Sequence, residues 1–249
     1  MTKADDYRTK LHSLSDWDTY LLKESGLPGP RGNIELAQVV ADEGNRQLFQ
    51  RYIAYTADNA PVNSPYEFLA FCGIVGLGRL LAEGDTSLLI TLRRYASDSR
   101  WRIREGVAMA LQRLGDVNME QLIAAMREWC QGTSLEQRAA AAALCEPRLL
   151  GQAQYAREVL GILDQITAGI EQADNRRSEE FLTLRKGLGY CWSVAVVNLP
   201  VEGKALMEKW LVRSDEDVRW IMKENLKKAR LVRMDAEWVQ IWRGKIDCV

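Results

Sequence analysis

The chain holds one histidine, His12, among 249 residues. Histidine is the side chain that titrates near neutral pH and the commonest metal ligand. Its scarcity removes the main ingredient of a Ser-His-Asp arrangement, of His-dependent acid–base catalysis and of a His-rich metal site. Cysteine is sparse and odd in number: Cys72, Cys130, Cys145, Cys191 and Cys248 lie far apart, form no C-x-x-C, and mostly sit in apolar helical stretches. There a thiol behaves as a small hydrophobe. They read as reduced thiols of a cytoplasmic protein, and neither a metal nor a cofactor is expected. The N-terminal Met1 to Tyr7 is polar with no apolar segment behind it, and no uninterrupted apolar run reaches membrane-spanning length. The expectation is a soluble, unexported chain.

Neither sign of charge dominates. Thirty-three Lys and Arg stand against 34 Asp and Glu, for a net charge of -1 and a pI near 6.0. This argues against a generally basic nucleic-acid coat and says nothing about local patches. With 47% apolar and 27% charged residues the composition is ordinary for a globular chain. Gly73-Ile74-Val75-Gly76-Leu77-Gly78 superficially suggests a phosphate-binding loop, but the glycine order is wrong and a helical pattern surrounds it. Close helix packing explains the glycines better. The carboxylate pairs Asp16/Asp18 and Asp215/Asp217 stand at helix starts, where capping and the helix dipole account for them. No catalytic residue is nominated.

Helical periodicity pervades the rest. Ser15 followed by Asp16-Trp17-Asp18 reads as a helix start that runs toward Gly26, and Leu27-Pro28-Gly29-Pro30-Arg31-Gly32 as a rigid connector. Asn33 can cap the next helix. Helices from Asn45 to Asn59 and from Tyr66 to Ala82 flank a break at residues 60–65. From Asp85 the helices come in pairs. Leu88, Leu92 and Tyr95 face Ile103, Val107, Ala110, Leu111 and Leu114; Met119 to Cys130 precedes Leu135 to Cys145; a longer pair joins Tyr155, Val159, Leu163, Ile166 and Ile170 to Phe181, Leu184, Leu188, Trp192 and Ala195. Val201 to Val212 and Asp217 to Ala229 form the last pair. Trp238 and Trp242, spaced i, i+4, belong to a closing cap.

Two stretches repeat one pattern. Ile103 to Leu111 and Val218 to Leu226 both read Φ-R-x-x-Φ-x-x-x-L, each preceded by an Asp-containing turn at Asp98 or at Asp215 and Asp217. Second helices of this form in hairpins of about 30 to 40 residues resemble HEAT repeats. The resemblance is clear over residues 86–114 and 201–231, fair over 118–146, and architectural elsewhere. It implies an all-α, right-handed solenoid of about six hairpins forming one domain over 1–249, with irregular N-terminal hairpins at 1–84, regular repeats at 85–231 and a C-terminal cap at 232–249. It also implies that Asp98, Arg104, Asp215 and Arg219 form a structural ladder between neighbouring repeats. More distantly, the stretch from Trp220 to Leu226 and the Trp-rich composition are similar to HEAT-like DNA glycosylases acting on alkylated bases.

Function must come from a presented surface. Six arginines between Arg93 and Arg113 meet two acids, and seven bases between Arg213 and Arg233 meet four. Successive second helices could align Arg102, Arg185, Lys223 and Lys227 as an interrupted basic stripe. A 100° step puts Trp220 on the polar side of its helix with Lys223 and Lys227. There it either stacks on a base or holds a cation, or the following helix, Asp235 to Arg243, covers it. Two classes follow: a non-enzymatic scaffold gripping a protein partner on its concave face, or a nucleic-acid binder, in its catalytic form a glycosylase drawing on Asp98, Trp101 and Trp192.

Overall fold

A computed structural model describes residues 2–246; Cys248 and the last residues of the expected end cap lie outside them. In chain order the helices are α1 Lys3–His12, α2 Asp18–Glu24, α3 Ile34–Glu43, α4 Arg46–Ile53, α5 Pro65–Ala82, α6 Leu88–Tyr95, α7 Trp101–Val117, α8 Met119–Trp129, α9 Ser134–Leu144, α10 Ala153–Ile170, α11 Glu179–Asn198, α12 Pro200–Leu211, α13 Glu216–Leu226, α14 Ala229–Met234 and α15 Ala236–Ile246. A 3-10 turn, Pro147–Leu150, precedes α10, and the described residues contain no strand. The fold is all-α.

Local chemistry sets the starts. Asn33, Asn45, Ser64, Asn118, Ser178 and Asp215 each accept a main-chain N–H of the helix that they open. Thr2 with Asp5, and Thr133 with Glu136, close reciprocal capping boxes. The helix expected from Asn45 to Asn59 stops at Ile53, and the helix expected through Ala229 breaks before α14. Neither break carries glycine or proline at its last turn.

The chain forms two compact units, Met1–Val117 and Asn118–Val249. The boundary falls inside the stretch of regular repeats expected at 85–231. In the first unit α5 is central and packs against α2, α3, α4, α6 and α7. It is the one described helix long and apolar enough to cross a membrane, yet 78% of it is buried inside the fold. Its glycines admit close neighbours: a Cβ on Gly78 would lie 2.4 Å from the Ala110 Cα of α7, and one on Gly76 would meet the Phe49 ring of α4 at 2.4 Å.

In the second unit, α8/α9, α10/α11 and α12/α13 are successive packed pairs. The first helices pack in the order α8, α10, α12, and the second helices in the order α9, α11, α13. The α11–α13 contact is locked by Asn225, which is fully buried. Its Oδ1 accepts the Ser193 main-chain N–H at 2.8 Å, and its Nδ2 donates to the carbonyls of Leu188 and Ile221, each at 2.8 Å. A side-chain amide thus joins two main chains with all its major bonding capacity used. Asn225 occupies the place in the Φ-R-x-x-Φ-x-x-x-L pattern that Ala110 occupies in α7.

Glycine substitutions separate the close approaches from the open ones. Gly78→Ala should destabilise by about 1–3 kcal/mol, because the clash is with α7 main chain. Gly161 in α10 has no atom within 4 Å of an added Cβ. Gly161→Ala should therefore stabilise by about 0.5–1 kcal/mol through helix propensity. Denaturant unfolding of the two variants beside the parent checks both signs.

Candidate interaction face

The basic excess near α7 is largely used inside the first unit. Arg100 is 1% exposed. Its guanidinium engages both carboxylate oxygens of Asp98 at 2.9 and 2.8 Å and donates to the carbonyls of Tyr55 and Ala60. Arg102, expected on a partner-binding stripe, is 6% exposed instead. It pairs with the buried Glu67 at 3.0 Å and donates to the Gly29 carbonyl at 2.7 Å, while its guanidinium lies 4.4 Å from the Trp101 ring centroid. Taking that guanidinium to a partner would strand Glu67 in the core, which is why it cannot serve a surface stripe. Arg113 reaches Asp42 and the Gln38 carbonyl.

The expected ladder residues are held largely through main-chain groups. Arg104 donates to the carbonyls of Asp98 and Ser99 at 2.7 and 3.0 Å. Asp215 caps α13 and accepts from Arg176 at 2.6 Å; Arg219 donates to the Ile246 carbonyl at 2.7 Å. Burial opposes ionisation of Asp215, but the N–H groups of Val218 and Asp217 and the Arg176 guanidinium outweigh it and hold the carboxyl below the usual aspartate range.

Four of the five expected partner-binding residues lie on two packed helices of the second unit: Arg185 on α11, Trp220 and Lys223 on α13, and Lys227 at its C-terminal end. Arg185 projects from α11 over Trp220 of α13, 4.1 Å from the ring centroid. Its Nε lies 2.9 Å from Asp217 Oδ1, near enough for an ion pair though out of line for a hydrogen bond. Trp220 is half-buried, and its cover comes from α11: a Cβ on Gly189 would be 3.1 Å from the indole. Lys223 lies one turn further on, and Lys227 pairs with Glu224.

Beside them stands a group that the sequence reading passed over. Leu182, Lys186 and Tyr190 follow each other at i, i+4 along the outer side of α11, with Leu182 and Tyr190 each 44% exposed. The Tyr190 ring is flanked by Arg230 at 4.7 Å and Lys228 at 5.8 Å. Assigning Phe181, Leu184, Leu188 and Trp192 to the core leaves 182, 186 and 190 opposite them, so the stripe on α11 was available from the helical wheel. The placement of α14, which supplies Arg230, was not.

The residues offered for base excision are each engaged or placed within their own unit, with Trp101 43% exposed on α7. Asp98 is occupied by Arg100, and Trp192 is fully buried with its indole N–H on Thr167 at 3.0 Å. Comparison with protein-family models, with curated proteins and with solved structures finds no match for this chain.

Arg104→Ala and Arg219→Ala should each cost about 1–3 kcal/mol by leaving main-chain carbonyls unpaired. Unchanged melting temperatures in both variants would remove their structural role. For Asp215 the folded-state pKa is depressed, so its contribution is present above the unfolded value and is lost as pH falls through the folded one. An Asp215→Asn variant should accordingly show a smaller loss of thermal stability than the parent between about pH 5 and pH 3.

Proposed function

We propose that this chain is a non-enzymatic interaction scaffold of HEAT-like hairpins that holds a protein partner on the face formed by α9, α11 and α13. The observation that supports it is the character of that face. Arg185 with Asp217 and Lys227 with Glu224 are neutralised in place, while Leu182 and Tyr190 stand exposed beside a half-buried Trp220. Exposed aromatic and aliphatic anchors beside Trp and Arg, with charges mutually balanced, match the centre of a protein interface. A nucleic-acid groove needs a run of uncompensated cations along a backbone. The arginines counted toward one, Arg100, Arg102, Arg104 and Arg113, are bound within the first unit. The right-handed superhelix implied by the repeats is part of the proposal, supported in the second unit by the ordered packing of α8, α10, α12 and of α9, α11, α13.

A photo-crosslinking amino acid placed in cells at Leu182 or Tyr190, with Val201 of α12, 81% exposed, as the comparison position, tests the reading. The expected result is an adduct at Leu182 and Tyr190 that protease removes and nuclease leaves intact. A nuclease-sensitive adduct would overturn the choice of partner. Adducts at Val201 with none on α11 would overturn the choice of face.

A further inference from the structure

The cations around Tyr190 differ from every other basic group on this face. Arg230 is half-buried, and its one hydrogen bond among the described residues runs from Nη2 to the Tyr190 hydroxyl, at 2.5 Å. A guanidinium carries five donors and keeps its charge at any physiological pH. Here a neutral phenol is its only acceptor. Lys228 lies over the same ring, and Lys186 is exposed one turn before it on α11. Neither lysine has a carboxylate partner among the described residues.

The nearby acids are already committed. Asp217 serves Arg185 and Arg176, Glu224 serves Lys227, Asp235 serves Lys204 and Glu146 serves Arg148. The unpaired Glu179 and Glu180 open α11, about 9 to 11 Å from Lys186 and about 15 Å or more from Tyr190 along the helix at 1.5 Å per residue. Partial burial of a charge without a counter-ion is costly, and an anion delivered from outside would relieve it. Tyr190, exposed yet held by two cations, forms an apolar wall beside that charge.

Resting on the reading of this face as a protein-binding surface, we infer that Lys186, Tyr190, Lys228 and Arg230 form a carboxylate-binding pocket for an acidic segment of the partner. The planar fork of Arg230 suits a carboxylate in two-point contact, with the lysines adding charge and the Tyr190 ring packing against the acid's methylene groups. On the α13 side of Tyr190 the neighbouring cations have carboxylate partners. A phosphodiester backbone would need uncompensated charge to continue across α13, where the cations Arg185 and Lys227 are balanced by Asp217 and Glu224.

The test is fluorescence anisotropy of the full chain with a labelled Glu/Asp-rich decapeptide and with an oligothymidylate of equal charge, at several salt concentrations. The parent should bind the peptide more tightly than the oligonucleotide. Arg230→Gln should weaken the peptide on the order of tenfold, and Lys186→Gln and Lys228→Gln about threefold each. Lys10→Gln on α1 should change nothing. Melting temperatures should hold or rise in the three cluster variants, since each relieves like-charge repulsion. Should Arg230→Gln fail to fold, the two lysine variants decide alone.

Absence of peptide binding by the parent, affinity indifferent to all three substitutions, or equal or tighter binding of oligothymidylate would each overturn the inference. Its failure is separable from failure of the wider reading. Protein adducts at Leu182 with no peptide binding would leave the partner face standing without the carboxylate pocket. No protein adducts on α11 would remove both.

Discussion

Closing helix ends is a constraint met again and again in this chain, and arginine is the residue that repeatedly meets it. Each helix leaves up to four carbonyls without an internal partner, and the described residues are cut into fifteen α-helices, several under nine residues. Long guanidinium side chains reach these oxygens. Arg79 donates to Gly44 at the end of α3, Arg100 to the Tyr55 and Ala60 segment after α4, Arg176 to Glu171 at the end of α10, and Arg243 to Leu226 at the end of α13. A planar group with five donors can close a helix end and an ion pair together, as Arg100 does with Asp98. Basic residues that a count assigns to recognition are thereby consumed in folding.

The two copies of the repeated motif show one frame with two different fastenings. In α7 the penultimate motif position is Ala110, and α5 answers it with Gly78, so the helices meet main chain to main chain. In α13 the same position is Asn225, and α11 answers with the Ser193 N–H and the Leu188 carbonyl. Close packing of small residues and a buried amide network are alternative ways to fix helix spacing, the first by contact and the second by direction.

Much of this was legible from the residues. Periodicity located the long amphipathic helices, and the caps Asn33, Ser64 and Asp215 could be named or inferred from type. The glycines of α5 lie in a helical pattern that implies packing, and Gly73, Gly76 and Gly78 do meet close neighbours. What failed was partner choice. Aligning successive second helices places Arg102 on a surface stripe, but its partner Glu67 lies 35 positions away in sequence. Arg100, two positions from Asp98, engages its carboxylate while a loop folds its carbonyls over the same guanidinium. The face around Trp220 was legible in part, since spacing put Lys223 and Lys227 on its side of the helix, whereas the approach of Arg185 from α11 was not. The Tyr190 cluster depends on α14, whose start at Ala229 has no glycine or proline to announce it.

The Asn225 lock has a consequence for how this surface can change over generations. It joins the α11 and α13 main chains beneath the surface, so the spacing of the two helices does not depend on the residues displayed above them. Positions 182, 186, 190, 223 and 227 are therefore open to drift. If this face binds a partner as proposed, a lineage can exchange them for other shapes and charges, and so acquire a different one, while Asn225, Ser193 and the core around Trp192 keep the platform unchanged.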